Sequence, residues 1–353
     1  MQIKETQKTI SGDKAEEVTE EEFYSILKLV SPGTNLRKAL DGILHYGKGA
    51  LIAIDNDFLT PILDGGFKVN CRFSPQRLIE LSKMDGAIII SKDLKKIKLA
   101  NVTLVPTSKI NTYETGTRHK AAHRTAKQTS GLAIAISEKK KEITLFYKNK
   151  RYPIKDLTEM KRKVNEYIQI LERQREIFDS YLETLNRLEL RSYINLGHAI
   201  KTIQKGKVIQ KISKELSKNL IELGDEGALL KTRLKEIMFD VEEETNLIIK
   251  DYSKIDDKRV IEILEDLSYE ELLDKKRILQ ALDYENIREV VRVDGWRILS
   301  KTTLTESEIA KLVKELGGFN KIIETNIDYE SEAISKDKFS LLKVELERMK
   351  VGL

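Results

Sequence analysis

Two stretches of the chain carry residue types suited to handling phosphate. From Thr115 to Gln128 the sequence reads TGTRHKAAHRTAKQ. Gly116 permits a tight approach, Thr117 is a natural helix N-cap, and the residues after it are good helix formers. A helix beginning there presents free amides and the positive end of its dipole, an anion site before any side chain is counted. Arg118, His119 and Lys120 in the first turn are electrostatically wrong for an empty helix start, and make sense if a polyphosphate supplies the missing negative charge. The second stretch is Asp85-Gly86-Ala87, a carboxylate between a helix and the apolar run Ile88 to Ile90. Alone, a basic cluster is more often a solvated face and an Asp-Gly pair a simple turn. Together in one domain they offer what nucleotidyl transfer needs, an acid to hold a metal and a cradle to neutralise charge.

The charge distribution agrees. Net charge is +5, with 62 basic residues against 57 acidic, so the chain is no polycation and any anion site must be local. Residues 101–150 carry ten Lys/Arg against three Glu, and no acidic residue falls between Thr115 and Ser137. A single cysteine, Cys71, excludes an internal disulfide framework and a multi-cysteine zinc site, and is expected to be a buried or bystander residue and not a reactive thiol. No apolar run approaches a bilayer span and Met1 to Glu22 is polar and acidic, so a cytoplasmic protein with no membrane partner is expected.

Elements must position these residues, and 353 of them exceed one ordinary core. Thr19 with Glu22 forms a capping box for a helix through Val30, a second helix runs from Thr34 to about Tyr46, and Ser74-Pro75 opens a third. Candidate strands are Ala50–Ile54, Ala87–Ile90, Val102–Val105, Leu132–Ser137 and Glu142–Tyr147. Residues 1–152 therefore predict an α/β domain, a mixed sheet flanked by helices. From 153 to 285 the texture is all-α: Leu157, Val164, Leu171, Phe178 and Leu185 recur every seven residues, and Met160, Tyr167, Gln174, Tyr181 and Leu188 three places later. Residues 286–353 read as a small all-α domain with landmarks Asp294-Gly295-Trp296 and Gly317-Gly318-Phe319.

The stretch DGGFKVNCRFSPQRLIELSKMDGAIIIS, then NVTLVP and ETGTRHKAAHRTAKQTSGLAIAIS, resembles the diadenylate cyclase domain of the DNA integrity scanning protein family, closely over roughly residues 20–150. The helical spacer and the RILSK and LGGF segments extend the likeness along the chain. That resemblance implies condensation of two ATP into cyclic di-AMP, with Mg²⁺ or Mn²⁺, across facing subunits of an octamer. By it Asp85 would bind the metal and help activate the attacking hydroxyl, while Arg118 and His119 would be catalytic. Gly86, Ala87, Leu104, Thr117, Lys120, Ala121, Ser137 and Lys140 would complete the nucleotide site, Leu104 against the adenine and Ser137 and Lys140 at the far end of the triphosphate. It also implies a C-terminal domain of helix-hairpin-helix type that binds branched DNA.

Three departures stand out. The family's usual Arg-His-Arg is here Arg118-His119-Lys120, and lysine loses arginine's two-pronged grip on phosphate, on the order of 1 kcal/mol. His123 stands where a glutamate is common and reads as a surface or supporting residue. Where the family has a Gly-x-Gly hairpin, Ile327 to Phe339 reads IDYESEAISKDKF, without glycine. With ten Lys/Arg against eleven Asp/Glu from Asp294 onward, DNA binding weaker than the family norm is expected. Three readings compete: an active cyclase, a nucleotide sensor without turnover, and a DNA-binding scaffold. Asp85 favours the first, because neither alternative needs a metal-holding carboxylate opposite a triphosphate cradle.

Overall fold

A computed structural model describes residues 18–327 and 329–351. The capping box of Thr19 and Glu22 forms and opens α1 (Glu20–Leu29). Thr34 caps α2 (Asn35–His45), and Ser74 caps α3 (Pro75–Leu81) with proline at its first position. Between and after them run β1 (Ala50–Ile54), β2 (Leu63–Asp64), β3 (Phe67–Arg72), β4 (Ala87–Ile90) and β5 (Lys96–Leu104). Then come α4 (Thr117–Thr129), β6 (Leu132–Ser137), β7 (Glu142–Tyr147) and β8 (Lys150–Pro153).

The sheet order is β2-β5-β4-β1-β6-β7-β8, with β3 also on β5. Among the described strands only β1 and β4 pair in parallel, so the sheet is mixed, as the sequence predicts. Alternation along the central strands builds two layers. Ala50, Ile52, Ile88, Ile90, Ile134 and Ile136 face a core closed by Phe23, Leu27, Leu40, Ile43 and Leu78 of α1, α2 and α3. The opposite face offers Leu51, Ala53, Ala87, Ile89, Ala133 and Ala135 to Ala122 and Ala126 of α4. Alanine on both sides of that contact lets α4 lie close to the sheet.

Strand β5 starts earlier than the expected Val102, because Lys96 and Lys98 face solvent and hide the alternation of Ile97, Ala100, Val102 and Leu104. Strands β3 and β8 carry mostly exposed residues, and neither is visible as an apolar run. Cys71 lies half-buried on β3 and is free.

Backbone contacts divide the chain into two compact units, one up to Lys161 together with Leu220–Ala228, the other Arg162–Asn219 together with Leu229 onward. The helices after β8 are α5 (Leu157–Leu190), α6 (Leu196–Leu223), α7 (Ala228–Met238), α8 (Val241–Tyr252), α9 (Asp257–Asp266), α10 (Tyr269–Leu273) and α11 (Lys275–Ala281). They continue with α12 (Trp296–Leu299), α13 (Glu306–Leu316), α14 (Phe319–Glu324) and α15 (Lys336–Val351). Among the described residues no helix is long and apolar enough to cross a membrane.

The seven-residue seam is real in its first register: Val164, Leu171, Phe178 and Leu185 are buried within the chain. The second register is corrected, since Tyr167 is exposed and Ile168 is buried in its place. An unsupercoiled helix turns every 3.6 residues, so the buried stripe drifts off a strict heptad. The polar interruption Gln174 accepts a hydrogen bond from Lys205 Nζ at 2.7 Å. Gly206 is needed where Thr245 crosses it, because a Cβ there would collide with the threonine side chain.

The RILSK landmark has a structural role. Arg297 is fully buried and its guanidinium pairs with Glu189 of α5, also fully buried, and with Asn186. Tyr252 Oη donates to the other Glu189 oxygen at 2.7 Å, and Asp251 accepts the backbone N–H groups of Trp296 and Arg297 at 2.7 and 3.0 Å. Burial and the neighbouring Glu189 push Asp251 up to about 7. Gly295, at positive φ, packs directly on Phe319, so the two glycine landmarks form one contact.

Where a glycine hairpin is expected, residues 329–335 form a loop ahead of α15. Its polar groups turn inward onto Glu315 of α13: Tyr329 Oη at 2.9 Å, Ser331 Oγ at 2.8 Å, and the N–H groups of Glu332 and Ala333 at 3.1 and 2.9 Å.

Candidate active site

The turn leaving α3 delivers Asp85 to the surface just before β4, with its carboxylate fully exposed. The start of α4 lies opposite, and Arg118 Nη2 stands 3.9 Å from Asp85 Oδ1. The two stretches that the sequence set apart therefore share one surface. At Gly49, just before β1, a Cβ would fall 2.7 Å from Arg118 Nη1 and 3.2 Å from the Ile136 carbonyl. The guanidinium thus lies over Gly49 in space that a side chain there would take up, held between Gly49 and Asp85.

The first turn of α4 differs by one residue from expectation. Gly116, in extended conformation, is the N-cap and accepts from Lys120 N–H at 2.8 Å, while Thr117 is already helical. Glycine cannot cap with a side chain, so the early amides of α4 are left to an outside acceptor or water. Thr117, Arg118 and Lys120 are exposed, and His119 and Ala121 half-buried. The first turn itself contains no acidic residue.

The rest of the basic stretch is structural. Arg124 Nε donates to the Ile110 carbonyl at 3.0 Å and Lys127 Nζ to that of Asn111 at 3.2 Å, tying the loop after β5 along α4. His123, read from sequence as a surface or supporting residue, is buried, stacked on Phe146 at 5.4 Å and bonded to Thr112 Oγ1 at 2.7 Å. His119 meets the same ring edge-on, with centroids 6.1 Å apart. Burial holds both imidazoles below the ordinary 6.5, so each is neutral near pH 7 and can donate or accept one hydrogen bond.

Three further positions take a more restricted form than expected. Gly86 has φ +86°, and a Cβ would lie 2.8 to 2.9 Å from the backbone of Asn101 and Val102, so the fold itself requires this glycine. Ala87 is fully buried and Leu104 is 8% exposed, both in the core beneath α4, which leaves a ligand only the edge of Leu104 and the backbone of Ala87. Ser137 ends β6, and its Oγ accepts the Lys140 N–H at 3.2 Å, shaping the turn that presents Lys140 to solvent.

Sequence reasoning missed Gly49, Phe146, Glu114, Glu142 and Arg151. Only Glu114 left a trace, as the last acid before the acid-free stretch. Among the described residues no group of three His, Cys, Asp or Glu side chains gathers to hold a metal. A single exposed carboxylate beside a cationic helix start suits a magnesium-like ion, which keeps several waters and needs few protein ligands.

Residues 37–151 match the family model described as "DisA bacterial checkpoint controller nucleotide-binding", and residues 154–291 match "DisA bacterial checkpoint controller linker region". Curated relatives run along nearly the whole chain. The DNA integrity scanning protein DisA of Bacillus licheniformis is 38% identical over 347 residues, covering 96% of this chain and 97% of its own. Those of Bacillus subtilis and Fusobacterium nucleatum are 37% and 35% identical, covering 93% and 94% of this chain and 94% and 98% of their own.

Proposed function

The chain belongs to the DisA family of DNA integrity scanning proteins and is a diadenylate cyclase; from that premise we propose that it joins two ATP molecules across a pair of facing nucleotide-binding domains, in a reaction that needs Mg²⁺ or Mn²⁺. The 3′-hydroxyl oxygen of each ATP attacks the α-phosphorus of the other. Each attack forms one P–O bond and expels one pyrophosphate, and the ring of cyclic di-AMP closes on the second. One domain offers one such carboxylate and one cradle, so two copies must face each other. An octamer is the assembly that the family arrangement suggests, and the cytoplasm its compartment.

The observation that carries this reading is the exposed Asp85 carboxylate 3.9 Å from Arg118 at the start of α4. In the proposed site Asp85 would hold the metal ion, which when bound would supply positive charge to ease deprotonation of the 3′-hydroxyl and offset charge on the phosphate. Arg118, Lys120, neutral His119, the Thr117 hydroxyl and the uncapped α4 amides grip the triphosphate, Ser137 and Lys140 reach its far end, and Gly86, Ala87, Leu104 and Ala121 border the nucleoside. Preorganised charge and donors of this kind are the main catalytic term for such a transfer.

Recognition of branched DNA by the C-terminal helices is the second part of the proposal, at lower affinity than the family norm. Support for the low affinity comes from the near-neutral charge and from Glu315, which takes the inward-turned donors of the 329–333 loop. A mobility-shift titration with a four-way junction at two salt concentrations tests it, and no shift at low salt removes DNA from the proposal.

The cyclase proposal is tested with purified protein, ATP and Mg²⁺ or Mn²⁺, products being resolved by chromatography. Cyclic di-AMP is expected from the native chain and a loss of at least about a hundredfold from Asp85→Asn. Because the side chain is fully exposed, the melting temperature of the variant is expected to stay unchanged. Undiminished product from Asp85→Asn would remove this carboxylate from the mechanism.

A further inference from the structure

The cradle has two walls, the loop that leads into α4 and the β6–β7 turn that presents Lys140, and each carries a carboxylate. Glu114 lies two residues before the N-cap Gly116. Glu142 opens β7 directly across from Ser137. Both are largely buried, their side chains 15% and 27% exposed. A tetra-anionic nucleotide bound here would meet two negative charges in partly desolvated positions, where repulsion is screened least.

Arg151, reaching over from β8, answers both. Its Nε donates to Glu114 Oε1 at 2.7 Å and its Nη2 to Glu142 Oε1 at 3.2 Å. Glu142 Oε1 also accepts from Thr144 Oγ1, a fully buried threonine, at 3.1 Å. The same groups act on His119, whose proton affinity Glu114 and Glu142 raise and Arg151 and Lys140 lower.

We propose that Arg151 is a positioning residue of the cyclase: it staples the loop before α4 to the β6–β7 turn and cancels two carboxylates that would otherwise repel the triphosphate. This rests on the cyclase reading of the site. Arg151 itself need not touch ATP. Its effect passes through the placement and charge of Glu114 and Glu142, so binding of ATP is the step that depends on it.

The test is Arg151→Met, with ATP affinity measured by equilibrium binding and turnover by cyclic di-AMP production. A roughly tenfold rise in both Kd and KM is expected, with kcat within about twofold of native. The double variant Arg151→Met/Glu142→Gln is expected to recover most of that loss, since it deletes one stranded charge. A contact that was merely structural would not be rescued this way. Arg151→Lys, which keeps one charge and loses the fork, is expected to fall between. If Arg151→Met does not fold, Glu142→Gln alone decides: native or tighter ATP binding supports the proposal, and weaker binding overturns it. Unchanged Kd in folded Arg151→Met, or a double variant no better than the single, also overturns it. Failure of the native protein to make cyclic di-AMP while still binding ATP would count against the cyclase reading, not against this inference, because the binding arm is independent of turnover.

Discussion

Gly49 and Asp85 occupy equivalent places at the mouths of two neighbouring parallel strands. Leu51 of β1 pairs with Ala87 of β4, so each residue stands two positions ahead of that register point. Arg118 reaches into the gap, one side of its guanidinium over Gly49 and the other towards Asp85. The β1–β4 pairing, with α4 laid over the sheet, is what brings a carboxylate and a cation distant in sequence onto one surface.

Gly49→Ala should therefore act on the site and not on the fold. Its Cβ would meet the guanidinium at 2.7 Å, a flexible tip that can move, and the Ile136 carbonyl at 3.2 Å, which a slight backbone adjustment relieves. The expected outcome is a several-fold rise in KM for ATP with a melting temperature lowered by only a few degrees. Native steady-state kinetics in Gly49→Ala would show that the position of Arg118 is not critical.

Acidification is expected to loosen the nucleotide-binding unit. His119 and His123 both have folded pKa values below the ordinary 6.5, chiefly through burial. Between the folded and unfolded values the unfolded chain binds more protons, so stability rises with pH there. The contribution is present above about 6.5 and is lost as pH falls through the depressed folded values. Thermal melts from pH 7.5 down to 5 check this, and His123→Gln, which removes one titrating ring, should flatten the slope. A slope identical to native would exclude His123 as a source.

Arg297→Met is expected to be among the most damaging single changes outside the site. It strands the fully buried Glu189 without its cation and removes a favourable charge from Asp251. Breaking one partner of a buried pair costs about 3 to 5 kcal/mol. Urea unfolding should show that loss, and a change under about 1 kcal/mol would mean that the network relaxes without its arginine.

Glu315→Ala empties the acceptor at the centre of the 329–333 loop and takes the acceptor from three donors, since the Ala333 N–H keeps Ser331 Oγ at 3.0 Å. A loss of about 1 to 3 kcal/mol is expected on unfolding. Phosphate or sulfate at millimolar concentration should restore part of it by taking the place of the carboxylate, whereas chloride at equal ionic strength should not. Equal effects of the salts would mean that the loop holds a carboxylate and nothing else.

The chain's local signals were legible before any fold was known. The Thr19–Glu22 box, the Ser74-Pro75 start and the apolar runs of β1, β4, β6 and β7 are set by neighbouring residues, through capping bonds and side-chain alternation, and all of them form. The cationic start of α4 and the Asp85 turn were equally readable, because their chemistry is written in consecutive residues. What sequence could not decide was set by partners far along the chain. Edge strands β3 and β8 lack a buried face to announce them, and Ile168 displaced Tyr167 from the seam because a straight helix drifts from a seven-residue repeat. The division of the basic stretch into Arg118 and Lys120 at the surface and Arg124 and Lys127 in the scaffold depended on where the loop after β5 came to rest. Gly49 and Arg151 carry no motif at all. Their roles exist only once strand pairing has put Gly49 beneath a guanidinium and Arg151 between two carboxylates, since distances of a few ångströms between remote residues are fixed by packing and not by spacing.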